Sequence, residues 1–269
     1  MIEKNINVDL IKNKKIVVAT PMFGGQAYVG YIQSIINLTE IASKYDIQIS
    51  YLFRWNESLV TRGRNILVNE FLKGDSDYLF FIDADISFNP LDFLYMIQLA
   101  EKDKEKQIIC GAYPHKSINW DLIHKANKKQ LIKNKEEYQL YQSEYVLNIL
   151  KKDKNESILL NLEEPLKVSK SGTGFMLIAR QVFNKFTKNY PEQKYIDQDS
   201  KTEMVAFFDC KINPETNFYM SEDWMFCYYA SKMSISTWIL PWISLNHFGT
   251  YEYKGNFMQS SLGFKEINF

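Results

Sequence analysis

The stretch DYLFFIDADISF (residues 77–88) sets the most apolar run of the chain directly against two carboxylates one residue apart. Tyr78 to Ile82 are five β-favouring residues without a charge, which reads as a buried strand. Asp83, Ala84 and Asp85 follow at once. A charge at the end of a buried strand costs desolvation unless something pairs with it. Residues two apart in a strand point to the same side, so both carboxylates are expected to face one site. Paired carboxylates repel unless a proton or a cation intervenes. A hard divalent ion, Mg²⁺ or Mn²⁺, is the natural partner, and it would bring phosphate oxygens with it.

Upstream of this run, strand and helix signals alternate. KIVVAT (15–20) is a β-branched run ended by Pro21, and QAYVGYIQSIINLTEIASKY (26–45) has helical periodicity. IQISYLF (47–53) reads as a second strand, and the helix after it has Ser58 as its N-cap candidate. Downstream, a helix starts near Pro90 and QIICGAY (107–113) supplies a fourth strand. Such alternation predicts an α/β fold, a mainly parallel Rossmann-like sheet with helices on both faces. Ligands of such sheets bind beyond the carboxyl ends of the strands. Pro21–Gln26, Arg54–Arg64, Asp83–Asp85 and Tyr113–Lys116 all fall at such ends, so four polar clusters converge on one rim.

The remainder divides in two. Residues from about 115 to 170 are lysine- and glutamine-rich and weakly periodic, which predicts a solvated helical insert in a single domain. Strand signals resume in SGTGFMLIAR and VAFFDC, a helix follows Ser221, and the chain runs through STWILPW into LNHFGTY. Residues 15–114 thus form a candidate nucleotide-binding half and residues 171–269 a candidate acceptor and catalytic half. Trp224, Tyr219 and Trp242 are aromatic candidates for stacking on a sugar or base, with core packing as the plainer reading.

Composition narrows the classes. A length of 269 residues suits one elaborated domain, and a net charge of zero speaks against a chain that coats nucleic acid. Three cysteines without CxxC spacing predict a reducing, cytoplasmic setting, and no apolar run approaches membrane-spanning length. Only four of 32 basic residues are arginines, yet Arg54, Arg62 and Arg64 lie close together. In a chain whose default cation is lysine, this cluster points to the planar fork that phosphates and base edges require.

RWNESLVTRGRNILVNEFLKGDSDYLFFIDADISFNP (54–90), with the later GTGF (172–175), SED (221–223) and HFG (247–249), resembles GT-A-fold glycosyltransferases. The SLVTRxRN form is closest to short viral and bacterial members, and more loosely to phage enzymes that decorate hypermodified DNA bases. The resemblance implies a nucleoside-diphosphate-sugar donor, most often a uridine diphosphate sugar, and an acceptor hydroxyl on a glycan or a modified nucleic acid base. It implies Mn²⁺ or Mg²⁺ held by Asp83 and Asp85, with His247 as a third ligand whose imidazole favours manganese. Asp223 becomes the candidate general base, assisted by Glu222. The donor is expected to contact Thr20, Pro21, Met22, Asn56, Arg62, Asn65, Asp83, Ala84, Asp85 and Lys116. Gly172, Thr173 and Gly174 join that set, since glycines before a strand permit close backbone approach.

Two rival readings use the same residues. FFIDADIS also resembles the nucleophile motif of haloacid-dehalogenase-type phosphatases, which usually place it on the first strand. A sugar-1-phosphate nucleotidyltransferase would need a longer glycine-rich loop than TPMFGGQ (20–26) provides.

Overall fold

The computed structural model describes residues 5–149 and 160–261. Its first strands are β1 (Lys15–Met22), β2 (Gln48–Trp55), β3 (Tyr78–Ile82), β4 (Ile86–Ser87) and β5 (Ile108–Cys110). Then come β6 (Leu147–Ile149), β7 (Leu166–Ser171), β8 (Phe175–Ala179), β9 (Lys194–Ile196) and β10 (Glu203–Val205). The last are β11 (Lys211–Ile212), β12 (Tyr219–Met220), β13 (Thr237–Ile239), β14 (Asn246–Phe248) and β15 (Glu252–Lys254). The helices are α1 (Val29–Lys44), α2 (Val60–Lys73), α3 (Pro90–Lys102), α4 (Trp120–Lys128), α5 (Arg180–Asn189), α6 (Glu222–Lys232) and α7 (Phe257–Ser261).

Eight strands form the central sheet in the order β2-β1-β3-β8-β5-β13-β7-β6. The pairings make six of them run one way, while β8 and β7 run against the rest. The sheet is therefore mixed and mostly parallel, as the alternating first half implies. β8 is the element that alternation does not announce: it enters antiparallel between β3 and β5. All residues of β3, β5 and β8 are buried, which is why their sequences are apolar throughout rather than alternating.

Strand geometry sends Phe80 and Phe81 to opposite faces. Phe80 stacks on Phe93 of α3 at 4.5 Å between ring centroids, while Phe81 meets Phe208 edge-on at 5.4 Å. The face that carries Phe81 is also covered by α2, whose Arg64 guanidinium lies 5.2 Å from the Phe81 ring. The ring and the helix thereby fix which side of β3 the functional residues approach.

Three local expectations change. Helix α2 begins at Val60 with Leu59 as its cap, so Ser58 is not the cap. The Leu59 amide instead donates to the buried Glu57 carboxylate at 2.9 Å. The lysine-rich stretch holds α4 and a 3₁₀ helix at Lys135–Tyr141, but it then buries Ser143 and Tyr145 and lays β6 along β7, so it is more than a solvated insert. Its residues 150–159 lie outside the described ones. In VAFFDC only Val205 is in a strand; Phe207 and Phe208 are buried core side chains. Arg180 is an anchor far from the rim. It donates to the carbonyls of Ser76 and Phe71 at 2.5 and 2.9 Å and so closes the end of α2.

Candidate active site

The two carboxylates do not share a strand face. β3 stops at Ile82, and the Ile86 amide donates back to the Asp83 carbonyl at 3.0 Å, closing a turn over Asp83–Asp85. The period-two argument therefore lapses one residue too early. Both carboxylates still line one cleft of about 390 Å³, together with Pro21, Phe23, Gln26, Tyr28 and Arg64. Within it they take different partners.

Asp83 belongs to Arg64. The Arg64 Nη2 donates to both Asp83 oxygens, at 3.0 and 3.2 Å, and its Nε reaches Glu222 at 3.4 Å. Burial works against the Arg64 charge, but Asp83 and Glu222 outweigh it and hold the guanidinium above its usual range. Burial likewise drives the Asp83 carboxyl up, against the pull of Arg64. One guanidinium nitrogen, Nη1, is buried without a hydrogen-bond partner. A buried donor left unmade is costly, which marks Nη1 as a contact awaiting an acceptor.

Asp85 belongs to a different group of residues. β14 pairs with β4, setting His247 opposite Ile86, and the Phe248 amide donates to the Asp85 carbonyl at 2.8 Å. His247 thereby comes to Asp85 from the far end of the sequence. Its Nδ1 donates to the Pro114 carbonyl at 2.8 Å, which leaves Nε2 turned to Asp85 Oδ1 at 3.5 Å. Oδ1 is buried and accepts no hydrogen bond. Lys116 donates to the other oxygen, Oδ2, at 2.5 Å. Burial pushes the Asp85 carboxyl up, but His247 and Lys116 outweigh it and hold it below the ordinary carboxylate range.

An unpartnered carboxylate oxygen facing an imidazole nitrogen fits a divalent ion between them. Among the described residues, however, no group of three or more His, Cys, Asp or Glu side chains gathers around one point. The residues present fit an ion held by Asp85 and His247 that draws its other ligands from a bound molecule. Asp83, in the same cleft, has both oxygens engaged by Arg64.

At the start of α6, Asp223 Oδ1 accepts from Ser221 Oγ and from the Trp224 amide, the latter at 2.7 Å. Burial, reinforced by the neighbouring Glu222, raises the Asp223 carboxyl above its ordinary range. Asp223 adjoins Glu222, the partner of the cleft residue Arg64, and a carboxylate tuned upward at such a place is a candidate general base.

Several other expected positions are held by partners within the protein. The Arg62 fork closes on Glu57, at 2.5 and 2.9 Å, and Arg54 Nη2 lies 4.0 Å from the same carboxylate. Asn65 is buried and exchanges two hydrogen bonds of 2.8 Å with the Phe208 backbone. The Thr20 hydroxyl meets Tyr31 at 2.7 Å inside the core. Pro21 and Ala84 line the cleft, Met22 packs against the core, and Asn56 is exposed in a left-handed conformation. Trp242 packs on Tyr95, Trp224 lies beneath Lys170, and Tyr219 is exposed.

Gly172, Thr173 and Gly174 make a turn whose close approach is to a side chain of the protein itself. A Cβ on Gly172 would lie 2.0 Å from the Tyr113 hydroxyl, and one on Gly174 would lie 2.8 Å from the same ring. Thr173 is buried between them. The Tyr113 hydroxyl in turn accepts from the Gly174 amide at 3.2 Å, and its ring packs edge-on against His247. Gly172→Ala is therefore expected to destabilise the fold by about 1–3 kcal/mol through overpacking of a buried aromatic ring. Urea denaturation measures this, and an unchanged midpoint would show that the ring has room to move.

Comparison with known proteins adds a family. The model of glycosyl transferase family 2 matches residues 34–187. No curated protein matches the chain in sequence. Among solved structures, GalNAc-T7 with UDP, GalNAc and Mn²⁺ aligns at 10% identity and a TM-score of 0.45, over 91% of this chain and 44% of that one. This chain thus spans less than half the length of the GalNAc-T7 chain. A glycosyltransferase involved in glycosylation of the major capsid of PBCV-1 aligns at 9% identity and a TM-score of 0.31, over 63% and 62% of the two chains. CMP:2-keto-3-deoxy-manno-octonic acid synthetase complexed with CTP aligns at 10% identity and a TM-score of 0.36, over 84% and 89%.

Proposed function

The chain belongs to glycosyl transferase family 2; from that premise we propose that it is a glycosyltransferase that moves a sugar from a nucleoside-diphosphate donor, with Mn²⁺ or Mg²⁺, to a hydroxyl acceptor. The observation that supports this most is the cleft itself. It sets an unpartnered Asp85 oxygen against His247 and an unpartnered Arg64 nitrogen beside Asp83. A diphosphate and a divalent ion would satisfy both. Uridine diphosphate is the proposed carrier, and the acceptor is a glycan or a hydroxylated nucleic acid base.

Asp85 and His247 would hold the ion, which when bound stabilises the negative charge of the departing diphosphate as a Lewis acid. Arg64 adds a fixed positive charge in a site where Asp83 and Glu222 keep it oriented and ionised. Pro21, Phe23, Gln26 and Tyr28 line the same cleft, where the nucleoside would rest. Asp223 accepts the proton of the attacking hydroxyl, while Ser221 and the Trp224 amide hold its Oδ1 and leave Oδ2 to meet the acceptor. Glu222 acts through Arg64. Asp83 is unsuited to the attacking role that the phosphatase reading requires, because both of its oxygens are engaged by Arg64.

Incubation with a panel of nucleotide sugars and Mn²⁺ tests this reading. Slow release of nucleoside diphosphate from one donor is expected, with none of the panel consumed when Mn²⁺ is replaced by chelator. Turnover of a generic aryl phosphate with every nucleotide sugar left intact would overturn it.

A further inference from the structure

We infer that Lys116 is an exchangeable counter-ion of Asp85 that makes divalent-ion binding conditional on the nucleotide. The inference rests on the reading that this cleft takes a diphosphate and a divalent ion. It concerns what the protein does before either arrives.

Four cations pair with carboxylates that line the cleft, three of them with Asp83 or Glu57. Arg64 is buried between Asp83 and Glu222, and Arg54 and Arg62 lean on the buried Glu57. Lys116 differs. Its carboxylate partner among the described residues is Asp85, at 2.5 Å, the same group that faces His247. Its ammonium lies 6.0 Å from the Tyr28 ring, on the wall of the cleft. Its stem passes Gly249, where a Cβ would sit 3.3 Å from the Lys116 Cδ, so the absence of a side chain at this turn is what gives the stem its place.

The ammonium already neutralises one Asp85 oxygen, and the other faces His247. A divalent ion entering alone must displace Lys116 from Oδ2 or settle at Oδ1 beside it. The first leaves an ammonium without its partner, and the second sets like charges a few ångströms apart. With only two protein ligands, the ion gains too little from the protein to offset either cost. A diphosphate changes the balance. It offers the flexible lysine a new acceptor and offers the ion the oxygen ligands the protein lacks. Linkage then requires that the ion and the nucleotide each strengthen the binding of the other by the same factor.

The test uses the whole protein, MnCl₂ and UDP, with free Mn²⁺ read by electron paramagnetic resonance, and it requires no turnover. Wild type is expected to bind Mn²⁺ weakly alone and much more tightly with UDP. Lys116→Gln should tighten binding of Mn²⁺ alone by about tenfold and reduce the strengthening by UDP by a similar factor. Lys116→Arg keeps the charge and should behave as wild type. If Lys116→Gln binds Mn²⁺ alone no better than wild type while the Mn²⁺–UDP complex still forms, the counter-ion role is overturned and the metal reading survives. If wild type holds no Mn²⁺ even with UDP, the metal reading fails and the inference falls with it. Far-UV circular dichroism and melting establish that the variants remain folded.

Discussion

Asp85→Asn is expected to lower sugar transfer by about 10²–10³-fold or more, the cost of losing a charge that stabilises a departing anion. The substitution preserves shape and one acceptor oxygen but removes the charge that faces both His247 and Lys116. The backbone link from the Phe248 amide to the Asp85 carbonyl does not depend on the side chain, so β14 should stay in place. Transfer assays with saturating Mn²⁺ and circular dichroism check both halves of this statement. A folded variant with near wild-type turnover would remove Asp85 from the metal site.

Asp223→Asn is expected to lower turnover by about 10²–10⁴-fold, the range for removing a general base, with donor affinity nearly unchanged. An equal loss in donor affinity would instead indicate a structural role. The raised carboxyl of Asp223 also fixes the sign of the pH dependence. The working form is the carboxylate, so activity should fall as pH drops through a value above the ordinary aspartate range. Stability moves the other way. A carboxyl whose folded-state value lies above its unfolded value binds its proton more readily in the native state, so its charged form is a cost at neutral pH that protonation relieves. The asparagine variant escapes that cost and should melt no lower than wild type at neutral pH.

Much of the frame is legible in the residues because burial leaves a direct mark. The uncharged runs of β3 and β8 announce strands covered on both faces, and Asp83 announces where β3 ends. What the residues do not carry is direction. Nothing in Phe175–Ala179 says that β8 runs against β3 and β5, because an apolar run buried on both faces reads the same either way. The arginine cluster shows a similar limit. Arg62 and Arg64 are two residues apart on α2, so they point to well-separated sides of the helix. Only tertiary packing decides that Arg64 meets Asp83 and that Arg62 turns to Glu57. Asn65 carries no sign of its burial, since its partners are backbone groups around Phe208, distant in sequence. Gly172 and Gly174 do signal close approach, but the approaching Tyr113 lies on a different segment.

The late arrival of β8 bears on how the chain is made. β3 pairs with β1 on one side and β8 on the other, and β8 emerges from the ribosome about 90 residues after β3. At ordinary translation speeds that interval is about 5–20 s. Throughout it, an uncharged, fully buried strand of the protein presents an unpaired edge, the kind of template onto which other chains add. The pairing that closes it is long-range, and such contacts are the slow ones in folding. The strand that leads into the two carboxylates is thus a segment that a chaperone would have to shield during synthesis.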